Sequence, residues 1–373
     1  VINCATVTSN GVDVISPQNL NELPETAKKR WFKRPLFFAL LVALIAIGLF
    51  FYQFGSAYNS MVVSKSGFLQ SIINAITGQK NDGQKQYTDN AFPMPSPEAD
   101  RLDVLILGIH GDTAEQITNE GGLLTDTMQL VSIDRKTNEA SMVSIPRDLY
   151  INMLGVNGKI NEVYERGLAN GDSMGLVKNV VSRITGVYVD KVVVFDFGAF
   201  QKIVDTIGGI DITLEQPFDE PTQWGYDFHL PAGPDHLDGQ SALYYVRSRF
   251  STSDFDRSRR QQDVVKAIKI KASQEGYLSN PIKINEMLNL IKGDIKTDFQ
   301  IWDISDLAKL ATHFTSDSQI KDYVIDTTNL LYESKDPVGA YILLPKGDNY
   351  DGIHKMFQDI LTQISTPSPT SSK

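Results

Sequence analysis

Apolar residues run without a charge from Leu36 to Tyr52. At about 1.5 Å per residue this run measures roughly 26 Å as a helix, close to a bilayer's hydrocarbon thickness. Lys28, Lys29, Arg30, Lys33 and Arg34 lie just before it. Cations on that flank place residues 1–34 on the cytoplasmic side and everything after residue 54 outside the cell. The small residues Gly55, Ser56 and Ala57 leave open a cleaved signal peptide, but the run is longer than an ordinary signal core.

The pattern then changes. Met61, Val62, Phe68, Leu69, Ile72, Ile73 and Ile76 recur at helical spacing, which predicts a short amphipathic helix within the juxtamembrane segment 55–100. Residues 79–100 are polar and carry Pro93, Pro95 and Pro97, so they form a linker. A domain follows over 101–364, and 365–373 is a Ser/Thr/Pro-rich tail. Within the domain Leu102–Leu107 is a continuous apolar strand, and Met128–Ile133 with Ala140–Ile145 forms a hairpin. Met174–Thr185 is a helix closed by Gly186, Lys191–Phe195 a buried strand and Phe200–Ile207 a helix stopped at Gly208. Ile210–Leu214 is a strand, and Ser241–Val246 and Arg257–Ala272 are helices. Interleaved strands and helices imply an α/β fold, a sheet with helices on both faces, whose ligands bind at strand ends.

Charge narrows the chemistry. The net charge of −10 makes non-specific nucleic-acid binding a poor fit. Cys4 is the sole cysteine, so no disulfide framework forms within the chain. No His/Cys cluster has zinc spacing, no serine sits in a nucleophile elbow, and glycines 108, 111, 121 and 122 match no nucleotide-binding loop.

Against that acidic background Arg247, Arg249, Arg257, Arg259 and Arg260 crowd together, opposed locally only by Asp254 and Asp256. Guanidinium groups present planar forks of donors matched to phosphate oxygens. At about 100° per residue, Arg260 and Gln261 fall within roughly 60° of Arg257. Val264, Ala267 and Ile268 share that sector, so all three polar side chains point inward at the helix's first turn. Arg259 points away with Lys266, toward solvent. An anionic ligand would relieve the repulsion, and so would a salt-bridge network with Asp254, Asp256 or Asp148.

Other polar residues sit at strand ends. Pro146 stops a strand and projects Arg147 and Asp148 from its carboxyl end, and Asp126 lies at a strand edge beside a loop. Lys159-Ile160-Asn161 opens a helix, where Asn161 can serve as a cap.

In order, these segments resemble the LytR-CpsA-Psr (LCP) family of bacterial cell-wall glycopolymer transferases. The likeness runs through the strand and glycine at 105–108, Thr125-Asp126-Thr127, Ser144-Ile145-Pro146-Arg147-Asp148 and Lys159-Ile160-Asn161. It continues through Gly208-Gly209-Ile210-Asp211, Pro231-Ala232-Gly233, residues 237–243, Arg247-Ser248-Arg249, and Asp254 to Gln262. The resemblance covers residues 101–273 closely and extends loosely to 360.

It implies an α/β/α sandwich with a central mixed sheet, holding a polyprenyl diphosphate whose tail lies in an apolar groove. It implies transfer of a glycan phosphate from that lipid to peptidoglycan or another cell-wall acceptor, with Mg²⁺. By position, Arg147, Arg247, Arg249, Arg257 and Gln261 match diphosphate contacts, with Arg260 and Lys159 placed beside them. Asp126 matches a metal-tied carboxylate, and Asp126, Arg147 and Asp148 would form the catalytic group. Two positions depart from the pattern: His110 stands where the family has Asp, and Leu124 where it has Arg. Asp112 would replace the missing carboxylate as a second metal ligand by a loop shift. A lipid-diphosphate hydrolase and a non-catalytic lipid-diphosphate-binding protein are the competing readings, the latter favoured by His110 and Leu124.

Overall fold

The structure, a computed structural model, describes residues 53–58, 60–62, 91–111, 121–137, 139–277, 280–300, 303 and 320–361. The expected segment 1–34, nearly all of the span at 35–54, most of the juxtamembrane helix, Asp112 and the tail lie outside these residues. No helix of the described residues is long and apolar enough to cross a membrane.

Six strands make the central sheet. β1 (Arg101–Ile109) is buried on both faces, which suits its near-continuous apolar sequence. It pairs antiparallel with β2 (Thr125–Asp134) and parallel with β6 (Lys191–Asp196). β2 forms the expected hairpin with β3 (Ala140–Ser144). β11 (Ile295–Thr297) and β12 (Ile320–Val324) close the two edges, giving the order β11-β6-β1-β2-β3-β12. The sheet is therefore mixed. Four two-stranded ribbons stand apart from it: β4–β5 (Tyr150–Met153, Val156–Lys159), β7–β10 (Ile210–Leu214, Gly233–Leu237), β8–β9 (Phe218–Glu220, Phe228–Leu230) and β13–β14 (Leu331–Lys335, Tyr341–Pro345).

Helices cover both faces. On one, α1 (Val163–Ala169), α2 (Ser173–Thr185) and α7 (Asp351–Asp359) pack Tyr164, Val177, Val181, Ile184, Ile353 and Phe357 onto Leu105, Leu107, Leu130 and Val194. On the other lie α3 (Phe197–Thr206), α4 (Gly239–Arg247) and α5 (Asp254–Gln274), with α6 (Pro281–Ile291) beside them. Asp196, Asp238 and Ser253 cap α3, α4 and α5 with side-chain oxygens. Gly186 ends α2 in the left-handed conformation, as expected. Gly209 is also left-handed, and a Cβ there would meet the Leu237 carbonyl at 2.9 Å.

The carboxyl ends of β1, β3 and β6, the start of β2 and the amino end of α5 all meet at one end of the sheet. That end carries the polar residues singled out by the sequence.

Candidate functional site

Arg147 follows β3 through Pro146 and is anchored by its own backbone, whose carbonyl accepts from the Asn161 N–H. Its Nη1 donates to Asp126 Oδ1 in a tight ion pair. Its Nε lies 3.6 Å from Asp254 and 3.8 Å from Asp148. Burial opposes its charge, but the three carboxylates outweigh that and hold the guanidinium pKa above its usual value.

Arg257, in the first turn of α5, is only 4% exposed. Its Nη2 sits 2.8 Å from Asp254 Oδ1 and donates to the Asp126 carbonyl at 3.0 Å. Its Nε is buried without a hydrogen-bond partner. Burial lowers its pKa; Asp254 opposes this, while Arg147 and Arg249 add repulsion, and the balance stays below the usual value. The two neighbours thus differ: Arg147 is neutralised by acids, whereas Arg257 carries an unmet demand for negative charge. α5 brings its partial positive end to the same point.

Arg247 and Arg249 flank this pair. Arg247 ends α4 and lies over the rings of Phe197 at 4.0 Å and Trp224 at 5.2 Å, a cation–π seat. Arg249 is exposed and within electrostatic reach of Arg257. Lys159 pairs with Asp148 at 2.5 Å, and Gln261 donates to the Val246 carbonyl at 3.3 Å. Five cations (Arg147, Lys159, Arg247, Arg249, Arg257) therefore face three carboxylates (Asp126, Asp148, Asp254). The excess positive charge lies on the Arg247–Arg249–Arg257 side.

Arg260 departs from expectation. It is inward-facing as the helical spacing predicts, but its donors go to the Tyr245 and Ser248 carbonyls and to Thr252 Oγ1, and its guanidinium lies 4.8 Å from the Phe218 ring centre. It braces the 248–252 loop from beneath instead of facing the site. Arg259 is exposed but not merely solvated: it spans Asp256 and Asp326, both at 3.0 Å. Asn161 makes no cap; it is buried in a 3-10 turn with its Oδ1 unpaired. Lys159 ends β5 and is at the same time the N-cap of the 3-10 turn Ile160–Glu162 that runs into α1, so the segment opens a helical stretch as expected.

Three residues absent from the sequence reading hold the same loop. Glu220, fully buried, accepts from the Phe250 and Ser251 N–H groups and the Ser251 hydroxyl, each at 3.1 Å. Gln223 accepts from the Arg249 N–H at 2.8 Å and donates to the Arg247 carbonyl at 3.2 Å, so one side chain sets the backbone at both arginines. Trp224 donates to Ser248 Oγ at 2.9 Å. No periodicity marks them, since they sit on and just after a three-residue strand.

His110 follows β1 with its ring 4.8 Å from Phe197, beneath the Arg247 seat. Leu124 lies in the turn before β2, its N–H bonded to the Gly121 carbonyl. A depression of about 310 Å³ lined by Leu154, Val156, Arg166 and Leu176 belongs to the β4–β5, α1 and α2 region and includes none of the site's residues.

Among the described residues no group of three or more His, Cys, Asp or Glu side chains is placed to hold a metal. Mg²⁺ at phosphate sites, however, needs only one or two carboxylates beside phosphate oxygens. Asp126 fits that requirement: its side chain is one-third exposed at the strand edge, next to the excess positive charge.

A model of the LytR_cpsA_psr family matches residues 67–358. The polyisoprenyl-teichoic acid–peptidoglycan teichoic acid transferase TagV of Bacillus subtilis (strain 168) is 28% identical over 249 residues, spanning 64% of this chain and 60% of that protein. The transferase of the same description named TagU, from Oceanobacillus iheyensis, is 27% identical over 282 residues, spanning 74% of this chain and 78% of that protein. Among solved structures, TagT bound to LI-WTA superposes with a TM-score of 0.53 at 25% identity, over 74% of this chain and 97% of that one. The chain thus spans less than two-thirds of TagV and more than two-thirds of TagU.

Proposed function

The chain belongs to the LytR_cpsA_psr family, and on that footing we propose that it moves a glycan phosphate from a polyprenyl diphosphate carrier to a hydroxyl of a cell-wall acceptor such as peptidoglycan. The supporting relatives are named as teichoic acid transferases acting on peptidoglycan. The observation that carries the proposal is Arg257: nearly wholly buried, electrostatically under-compensated, and holding an unpaired Nε–H.

Diphosphate oxygens would complete the hydrogen bonding of Arg257, with Arg249 reaching from solvent and Arg247 from its aromatic seat. Phosphoryl-type transfer needs positioning and charge neutralisation more than covalent work by the protein. Asp126, with Asp112 as the second carboxylate that the resemblance suggests, would hold Mg²⁺, which when bound supplies neutralisation of phosphate charge. Arg147 fixes the Asp126 carboxylate in place. Asp148, paired with Lys159 and close to Arg147, would orient the attacking acceptor hydroxyl. The apolar run at 36–52 would tether the domain to the outer face of the bacterial plasma membrane, next to a lipid-linked substrate.

A second reading rests on His110. An imidazole against Phe197 provides no carboxylate at a position where the family carries one, which favours a protein that binds the lipid diphosphate without transferring from it. Incubating the full chain with a lipid-linked glycan, Mg²⁺ and peptidoglycan separates the readings. Glycan attached to peptidoglycan supports transfer. Glycan released into water identifies a hydrolase, and bound but unconverted lipid identifies the second reading. Chelating the metal should reduce transfer at least tenfold if charge neutralisation requires it.

A further inference from the structure

The β13–β14 hairpin begins 70 residues after Gln261, yet it is fastened to the site itself. The Leu343 N–H donates to the Asp148 carbonyl at 2.9 Å, and Leu149 and Leu343 form a parallel bridge. Strand register then fixes what the hairpin presents. Leu331, Glu333 and Lys335 pair with Pro345, Leu343 and Tyr341, so these six share one face. Leu331 and Leu343 anchor that face in the main core. Tyr341, two residues before Leu343, continues the same face outward past Asp148.

Tyr341 is 43% exposed, and its hydroxyl lies 3.4 Å from Glu333 Oε1. Partial burial, then the Glu333, Asp148 and Asp254 carboxylates, push its phenol up to about 12, which keeps it neutral and records its closeness to the site's acidic side. Val338 at the hairpin's tip is 88% exposed. The two rims of the site thus differ in chemistry. Arg247, Arg249 and Arg257 make one rim positive. Glu333 and the Tyr341 ring, beside Asp148, make the other aromatic and rich in acceptors, with Lys159 bound to Asp148 and Lys335 opposite Tyr341, while Asp254 is paired with Arg257 between the two. The carboxylate oxygens on this rim accept hydrogen bonds from uncharged hydroxyls, and a tyrosine offers a flat apolar face with a polar edge.

We propose that the Tyr341–Glu333 face of this hairpin is the acceptor subsite: a sugar ring of the acceptor glycan lies on the Tyr341 ring, with its hydroxyls donated to Glu333, next to Asp148. The assignment rests on the transfer reaction proposed above only for its place in that reaction; glycan binding to the hairpin is testable alone.

The full chain is compared with Tyr341→Ala, Tyr341→Phe and Glu333→Gln in two measurements. The first titrates peptidoglycan glycan fragments, without lipid donor, by calorimetry. Tyr341→Ala should weaken binding about tenfold, Tyr341→Phe little, and Glu333→Gln by an intermediate factor. The second follows transfer against fragment concentration. Tyr341→Ala should raise the acceptor KM by a similar factor while leaving the lipid donor's Kd within about twofold. Fragment binding that is absent, or equal in wild type and Tyr341→Ala, overturns the subsite. Fragment binding that depends on Tyr341 in a protein that transfers nothing keeps the subsite and removes the transfer reading instead.

Discussion

Two buried arginines stand at opposite ends of the β1–β2 pair, and their surroundings separate a structural cation from a functional one. Arg101, at the start of β1, spends its donors within the chain: Nε on Asp103 at 2.8 Å, Nη1 on the Phe357 carbonyl at 3.0 Å and Nη2 on Ser132 Oγ at 2.9 Å. It ties α7 to the sheet. Arg257, by the other end, is at least as buried but keeps one donor unpaired and has too little negative charge around it. A closed donor set stabilises the fold, whereas an open one at a strand end marks a place for a ligand. Arg260 sharpens the contrast, because it lies three residues from Arg257 on the same helix face and yet belongs to the first kind.

Asp103→Asn should break the comparison at its structural end most severely. It leaves Arg101 buried without its counter-charge and should cost about 3–5 kcal/mol in denaturant unfolding, with normal turnover by the folded fraction. Burial raises the Asp103 carboxyl pKa, and Arg101 and Ser132 only partly offset this. The fold therefore favours its protonated form, and that contribution is complete below the ordinary value near 3.8 and is lost as pH rises through the raised folded value.

Arg257→Ala is the opposite case. Transfer should fall about 10²–10³-fold, while the melting temperature stays close to that of wild type. Arg260→Met keeps the stem on Phe218 but strips the donors from the Tyr245 and Ser248 carbonyls. It should cost about 1–3 kcal/mol and weaken donor binding through the displaced loop, with kcat retained at saturating substrate.

Ser253→Ala, the smallest change, removes the α5 capping box at a cost of about 1 kcal/mol. Burial would raise Asp256, but its bonds to Ser253 and the nearby Arg259 outweigh that and lower it. Its contribution is thus present above the ordinary value near 3.8 and lost as pH falls through the lowered one. The stability gap between wild type and Ser253→Ala should therefore narrow in acid unfolding below that pH, leaving the Ser253 Oγ bond to the Asp256 N–H.

Much of this was legible before any coordinates. An uninterrupted apolar run marked β1, whose two faces are both buried, while the turn between two largely apolar segments marked the β2–β3 hairpin and a short apolar segment marked β6. Helical spacing placed Arg257 and Arg260 inward. It did not distinguish them, because Arg260's role depends on where the 248–252 loop passes, and that is set by Glu220 and Gln223 on a distant ribbon. Arg259 looked solvated because its partner Asp326 is remote in sequence. Tyr341 and Glu333 had no motif to announce them; only strand register and the Leu343–Asp148 bond bring them to the site.

The central claim is that Arg257 waits for a diphosphate. Its most direct test is the affinity of the full chain, in detergent, for a polyprenyl diphosphate, compared with that of Arg257→Ala and Arg260→Met at equal fold stability. The account predicts a loss of about a hundredfold for Arg257→Ala and a much smaller loss for Arg260→Met. Equal affinity in wild type and Arg257→Ala would contradict it.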